Sequence, residues 1–292
     1  MNVGVVGNPN YHDLAGLLGS IARAAPRLGL TLFSEASILP LWPSPGPAPA
    51  RLDAATAVDC LLTLGGDGTL LRGARALNGA RIPLLGVNLG RVGFLTTASV
   101  ETLDAALVAL VTGAYITEPR LTLVTAIESA GGARRVEPPV LNDVVLHKAG
   151  VARIVRVRVS VDGEAVGEYP GDGIIVATPT GSTAYALSAG GPVVVPSVDA
   201  IVVAAICPHS LAVRPLVLPS SSAVTLEPIP PWAEDVTASF DGQVGITIQP
   251  GERLHVRRGD HPVLLIRLGP EGFFARMRQK LQWGDAFDRE RP

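Results

Sequence analysis

The stretch Leu64-Gly65-Gly66-Asp67-Gly68-Thr69-Leu70-Leu71-Arg72 decides how this chain is read, because it sets a single carboxylate in a glycine turn between a buried strand and a helix. Upstream, Ala57-Val58-Asp59-Cys60-Leu61-Leu62-Thr63-Leu64 reads as a short apolar strand, and Thr69 to Leu77 reads as a helix. Three glycines in four residues let the backbone come close to a ligand and turn several N–H groups toward it, where the helix N-terminus adds partial positive charge. That geometry suits a phosphate. A carboxylate in an anion site repels the ligand, so Asp67 is better explained as a proton acceptor or a magnesium contact. Taken alone, the tetrapeptide is equally an Asp-capped turn from strand to helix.

The common nucleotide and hydrolase fingerprints are excluded. Neither lysine, Lys148 or Lys280, follows a glycine, so there is no G-x-x-x-x-G-K-[ST] loop. Gly66 and Gly68 are followed by Leu71, and Gly86, Gly90 and Gly93 have the wrong intervals for G-x-G-x-x-G. Gly181-Ser182-Thr183-Ala184 lacks the leading glycine of a nucleophile elbow.

With 292 residues, 47% of them hydrophobic and 17% charged, the chain is long enough for two packed cores. A net charge of −2 argues against nucleic acid or an anionic membrane as the main partner. Cys60 and Cys207 lack metal-ligand spacing and read as two inert core thiols. Met1-Asn2-Val3-Gly4-Val5-Val6-Gly7 has no basic leader, and no apolar run reaches a membrane span, so a cytoplasmic location is expected.

Residues 1 to 118 alternate strand and helix signals: strands at Val3 to Val6, Cys60 to Leu64 and Ile82 to Val87, helices at Leu14 to Leu28, Thr69 to Leu77 and Val100 to Thr112. Alternation predicts an α/β domain with a parallel sheet. Pro40, Pro43, Pro45, Pro47 and Pro49 mark a surface loop. From 119 to 269 the texture becomes β-rich, with runs at Leu121 to Ile127, Ala152 to Val161, Gly173 to Ala177, Ala200 to Ile206, Val224 to Glu227, Val236 to Phe240 and Arg253 to Arg257. Val155 to Val161 alternates apolar and polar residues, as a strand with one wet face does, so an all-β, sandwich-like second domain is expected. The arginines at 153, 156 and 158 read as a solvated strand face, from which one member could reach an anionic ligand. A last helix, Phe273 to Leu281 within about 270–285, is expected to pack on the first domain.

A second block rich in chemistry runs from Gly171-Asp172-Gly173 through Thr178-Pro179-Thr180-Gly181-Ser182-Thr183-Ala184-Tyr185 to Ser188-Ala189-Gly190-Gly191-Pro192. A buried strand delivers the chain into a loop of hydroxyls and small residues, with donors, acceptors and room for a flat ligand, though taken alone the loop is equally a Ser/Thr turn capping a helix. Asn142-Asp143 adds an amide apt for an adenine edge and a carboxylate apt for a ribose diol, although Asn-Asp by itself is more often a turn.

Together these blocks resemble the NAD kinases, which phosphorylate the 2′-hydroxyl on the adenosine side of NAD. The resemblance rests on Gly65 to Thr69, Asn88-Leu89-Gly90-Arg91-Val92-Gly93-Phe94-Leu95, Asn142-Asp143, Asp172 to Pro192, Pro208 to Leu218 and Asp241-Gly242-Gln243, and runs from about residue 58 to Trp283. It implies Asp67 as proton acceptor, with Gly65, Gly66, Gly68 and Thr69 framing the phosphates. Phe94 would line the adenosine pocket, Asn142 and Thr180 meet the adenine, and Asp143 the ribose. Asp172, Thr183, Ala184, Tyr185 and Ser188 would follow the nicotinamide half, and Arg72, Arg153 and Gln243 match further ligand contacts. Asp143 stands where many members carry Glu, and Pro170 where many carry a basic side chain. The resemblance further implies ATP or polyphosphate as donor, a divalent cation such as magnesium, a site between the two domains, and a dimer or tetramer whose subunits complete the NAD pocket. A lipid or small-alcohol kinase of the same superfamily and a non-catalytic dinucleotide-binding regulator are the alternatives.

Overall fold

The computed structural model describes residues 1–43, 49–90, 93–148, 154–229, 236–269 and 272–283. Its contacts divide the chain into two units, Met1–Pro119 with Val263–Pro292, and Arg120–Pro262. In chain order the elements are β1 (Asn2–Gly7), α1 (Leu14–Leu28), β2 (Thr31–Ser34), β3 (Ala50–Arg51), β4 (Cys60–Leu64), α2 (Asp67–Ala76), β5 (Leu84–Asn88), β6 (Ala98–Ser99), α3 (Leu103–Thr112) and β7 (Ile116–Arg120). Then come β8 (Leu123–Glu128), β9 (Arg134–Val140), β10 (Asp143–Lys148), β11 (Val155–Val161), β12 (Glu164–Gly171), β13 (Gly173–Ala177) and the single turn α4 (Tyr185–Ser188). After these come β14 (Ala200–Ile206), β15 (Leu216–Pro219), β16 (Val224–Ile229), β17 (Val236–Phe240), β18 (Val244–Ile248), β19 (Arg253–Arg258), β20 (Val263–Arg267) and α5 (Phe273–Leu281).

The first unit is built on one sheet, ordered β3-β2-β1-β4-β5-β20-β7 with β6 also on β5. The ladders joining β1, β2, β3, β4, β5, β6 and β20 are parallel. Every residue of β4 and β5 is buried, which is why they read as unbroken apolar runs. On α1, Leu14, Leu17, Leu18, Ile21 and Ala25 recur at helical spacing and are buried. Its end is fixed by Gly29 in the left-handed region at φ 64°, a conformation that costs glycine little. Successive strands lie on opposite sides of β1, so the winding reverses between β1 and β4. Crevices at the carboxyl ends of strands that flank such a reversal are where open α/β sheets take ligands.

The second unit holds two antiparallel sheets, β15-β14-β13-β10-β17-β18 and β12-β11-β16-β19-β8-β9. Val144, Leu146, Val176 and Phe240 of the first share one apolar cluster with Val157, Val159, Leu226 and Val256 of the second, which makes the unit a sandwich. Burial along β11 alternates, with Val155, Val157 and Val159 inside and Arg156 exposed. By contrast β13 is buried throughout. Its other face, with Val145, Val202 and Ala204, lies under Ala186 and Val194 from the segment that follows it.

Three features differ from the sequence reading. The second unit ends at Pro262 and not at residue 269, because β20 leaves the sandwich and pairs in parallel with β5. Cys207 is exposed, at φ 44° just past the end of β14, whereas Cys60 lies in the core, where burial pushes its thiol up to about 12. The proline-rich segment begins as packed structure: Leu39–Leu41 forms a 3-10 turn, and the buried Trp42 donates its indole N–H to Ser34 Oγ at 2.8 Å. Residues 44–48 lie outside the described residues. Among the described residues, no helix is long and apolar enough to cross a membrane.

Candidate active site

The Asp67 loop grows out of the buried strand β4, whose carboxyl end turns through Gly65 and Gly66 directly into α2. Asp67 is the first helical residue, so its charge meets the positive end of the helix dipole. A carbon added at Gly65 would overlap the Thr69 side chain, whereas one added at Gly66 or Gly68 would meet no atom within 4 Å, which leaves that face open to a ligand. Both carboxylate oxygens of Asp67 accept backbone N–H groups from the next crossover, Oδ2 from Phe94 at 2.8 Å and Oδ1 from Leu95 at 3.1 Å. Each oxygen keeps a further lone pair, so the carboxylate is fixed in place and still able to accept from a substrate hydroxyl.

Gly93 makes this geometry possible. A Cβ there would overlap the Asp67 carboxyl group itself. Gly93→Ala is therefore expected to lower turnover by up to about a hundredfold, the order of loss for an ångström-scale misplacement of a reacting group. Steady-state kcat measured beside a melting curve checks it; an unchanged kcat in a folded variant refutes the contact.

The second unit carries its own cleft of about 310 Å³, lined by Asn142, Asp143, Ala184 and Tyr185 together with His147, Ser239 and Asp241. The β17–β18 hairpin turns through Asp241 at φ 52° and Gly242 at φ 64°, closed by Gln243 N–H to Phe240 C=O at 3.0 Å. From that turn the Asp241 carboxylate accepts the N–H groups of Leu141 (2.9 Å), Asn142 (2.7 Å) and Asp143 (3.1 Å), clamping the segment that presents Asn142 and Asp143. Opposite, Thr178 donates its hydroxyl to Leu141 C=O at 2.6 Å, and Gly181 packs where any Cβ would overlap the Asn142 backbone.

Asp143 is only 5% exposed. Burial, reinforced by the negative charge of Asp241, pushes its carboxyl up to about 7. A carboxyl raised on folding favours the native state fully below its unfolded value of 3.8, and that contribution is lost as pH rises through the folded value. Asp143→Asn should therefore stabilise the ligand-free protein, by a margin that opens between about pH 4 and 7 and is constant above. Urea unfolding at pH 4, 6 and 8 checks this; a margin independent of pH would remove Asp143 as the titrating group.

Phe94 is buried, its ring 6.2 Å from that of Phe273. Arg72 points back to the end of β1, donating to Gly7 C=O and pairing with Glu35 at 3.0 Å. Thr180 Oγ1 accepts from Arg120 at 3.3 Å, and Thr183 donates to Thr180 C=O at 3.2 Å. Asp172 pairs with Lys148 at 2.7 Å. Among the described residues that line the cleft, Thr180, Thr183, Asp172, Ser188 and Gln243 do not appear. Arg153 lies outside the described residues. Pro170 sits on the edge strand β12, where a missing N–H is tolerated, and accepts from His209 N–H at 2.9 Å. The sequence reading did not single out the Asp241 carboxylate, His147, Ser239 or the Phe94 and Leu95 amides. Only Asp241 carried a signal, the Asp-Gly pair between two apolar runs.

A fixed carboxylate at a glycine-lined helix start, with a polar cleft in the partner unit, belongs to a phosphotransferase that acts on an alcohol group. Residues 50–115 match the ATP-NAD kinase N-terminal domain and residues 141–268 the ATP-NAD kinase C-terminal domain. The chain is 46% identical over 290 residues to the NAD kinase of Gemmatimonas aurantiaca, covering 99% of each, and 41% identical over 237 residues to that of Geobacter sulfurreducens, covering 80% and 81%. Among solved structures, yeast NADH kinase complexed with NADH superposes with a TM-score of 0.87 at 25% identity, covering 98% of this chain and 89% of that one. The Archaeoglobus fulgidus NAD kinase in complex with ATP gives 0.75 at 26%, covering 96% and 99%. The chain belongs to the NAD kinase family.

Proposed function

We propose that the protein transfers the terminal phosphoryl group of ATP, or of another nucleoside triphosphate or polyphosphate, to the adenosine 2′-hydroxyl of NAD, forming NADP. The observation that carries this reading is the Asp67 carboxylate, held by two backbone amides and still able to accept a proton. The 2′-oxygen attacks the terminal phosphorus in line as its proton passes to Asp67. The bond from that phosphorus to the bridging oxygen breaks, and the shortened donor leaves with the electron pair. Gly65, Gly66, Gly68 and Thr69 turn the backbone toward the phosphates.

Asn142 and Thr180 serve the adenine, Asp143 the ribose diol and Phe94 the adenosine wall. Asp172, Thr183, Ala184, Tyr185 and Ser188 follow the nicotinamide half, with Arg153 and Gln243 as further contacts. Arg72, engaged with Glu35, serves by holding the end of β1 beside the loop. Among the described residues no group of three His, Cys, Asp or Glu side chains could cage a metal. Asp67 is the carboxylate that would hold a magnesium ion brought in on the donor phosphates, and the ion would supply neutralisation of the phosphate charge. The family resemblance supports a dimer or tetramer, and substrates of this kind support work in the cytoplasm.

NADP formation assayed with ATP or polyphosphate against NAD or NADH tests the reading. Product is expected with ATP and NAD. Its absence with every donor and acceptor pair overturns the assignment.

A further inference from the structure

The first unit holds a larger cleft, of about 590 Å³, that none of the residues assigned above lines. It opens at the carboxyl ends of β5 and β20, the edge of the sheet at which Asp67 also sits, and its volume suits a small molecule. Among the described residues lining it, the ionisable side chains are two cations. Arg267 ends β20 and donates to Glu118 at 3.3 Å, and Arg276 of α5 is 6% exposed. Two guanidinium groups lining one cleft favour phosphate, with its several oxygens and its charge, even with Arg267 ion-paired to Glu118. Around them, the amide of Gln279 and the hydroxyl of Thr96 offer donors and acceptors to a polyol, while the Asn88 amide is held by the Gly90 backbone and the Ser99 hydroxyl by Thr102 and Glu101. Alanines of α3, among them Ala105 and Ala109, keep the space open.

This cleft shares its wall with the Asp67 clamp. Leu95, whose N–H holds Asp67, is followed directly by Thr96 in the cleft wall, and Thr97 Oγ1 is fixed to Ile266 C=O at 2.8 Å. From the other side, α5 carries both Arg276 and Phe273, the ring beside Phe94. A ligand drawing α5 and the 96–99 segment together bears on the two amides that position Asp67. We propose that the cleft binds a small phosphorylated polyol, which acts as an effector of phosphoryl transfer at Asp67; the effector role rests on the kinase reading above.

Calorimetric titration of the full chain with glucose 6-phosphate, in saturating NAD and a non-hydrolysable ATP analogue, tests the site, with inorganic phosphate and glucose as controls. The expected result is binding at least about tenfold tighter for glucose 6-phosphate than for phosphate, with none for glucose, since charged and neutral contacts both contribute. Arg276→Gln should weaken it by about tenfold or more, the loss of a charged hydrogen bond. Because Arg276 is buried, Ala109→Leu provides the second variant, filling the cleft with every charge in place and leaving turnover without the probe unchanged. Glucose 6-phosphate should also shift wild-type turnover at saturating substrates by about twofold or more, and not that of Ala109→Leu. No binding by the wild-type chain, or equal binding by Ala109→Leu, overturns the site. Binding without any change in turnover overturns the effector role. A chain that forms no NADP under any condition fails the kinase reading alone, and the calorimetry still decides the cleft.

Discussion

Asp67→Asn is expected to lower turnover by about two to four powers of ten, the usual share of a general base, while NAD affinity changes little. The amide cannot take the proton. It also replaces one acceptor by a donor, so one of the Phe94 and Leu95 amides now faces an N–H. Single-turnover NADP formation measured beside NAD affinity separates these effects. Phosphoryl transfer through a loose transition state needs limited help from a base, so a loss near the lower bound assigns Asp67 to positioning the hydroxyl or the cation. Near-normal turnover would sink the assignment altogether, and an equal loss of nucleotide binding would make Asp67 a metal anchor.

The second large effect is expected from Asp143→Asn on NAD binding. A carboxylate accepts from both hydroxyls of a ribose diol, and an amide oxygen replaces only part of this. The expected loss is about 1.5 to 3 kcal/mol, the range for hydrogen bonds to a charged partner. Because burial brings the free carboxyl to about 7, the diol has to draw out the charged form. Wild-type affinity should therefore rise with pH up to about 7 and level off above it, whereas the variant should be flat. Calorimetry at pH 6, 7 and 8 reads both. Unchanged affinity in the variant removes Asp143 from the ribose, and a rising profile in the variant assigns the titration to another group. The carboxyl is thus a compromise: its burial costs the ligand-free fold stability, and ATP affinity is expected to survive its removal.

Much of this was legible because local chemistry decided it. Cys60–Leu64, Gly173–Ala177, Ala200–Ile206 and Val236–Phe240 are apolar runs bounded by turn residues, and they form strands with the bounds the sequence predicts. Leu14–Leu28 and Phe273–Leu281 carry helical spacing and are helices over those residues. What could not be read depends on contacts far apart in the chain. Nothing in Val263-Leu264-Leu265-Ile266 distinguishes a strand that stays in the sandwich from one that returns to β5. Arg72 carries a charge of the right sign for phosphate, and its partner Glu35, just past β2, is recognisable only once the ends of β1 and β2 lie beside α2. The Asp241 clamp spans about a hundred residues, so only its turn left a trace in the sequence.

The return of β20 has a consequence for how the chain is assembled. The sandwich is one continuous stretch, Arg120–Pro262, complete before the strand that β5 and β7 both await has emerged from the ribosome. During synthesis β7 thus has no neighbour in its own sheet, and a large loop closes when β20 inserts between it and β5. The last strand among the described residues is the keystone of the first unit, and a nascent chain halted before Val263 should hold a folded sandwich beside an unfinished parallel sheet with an open, sticky edge.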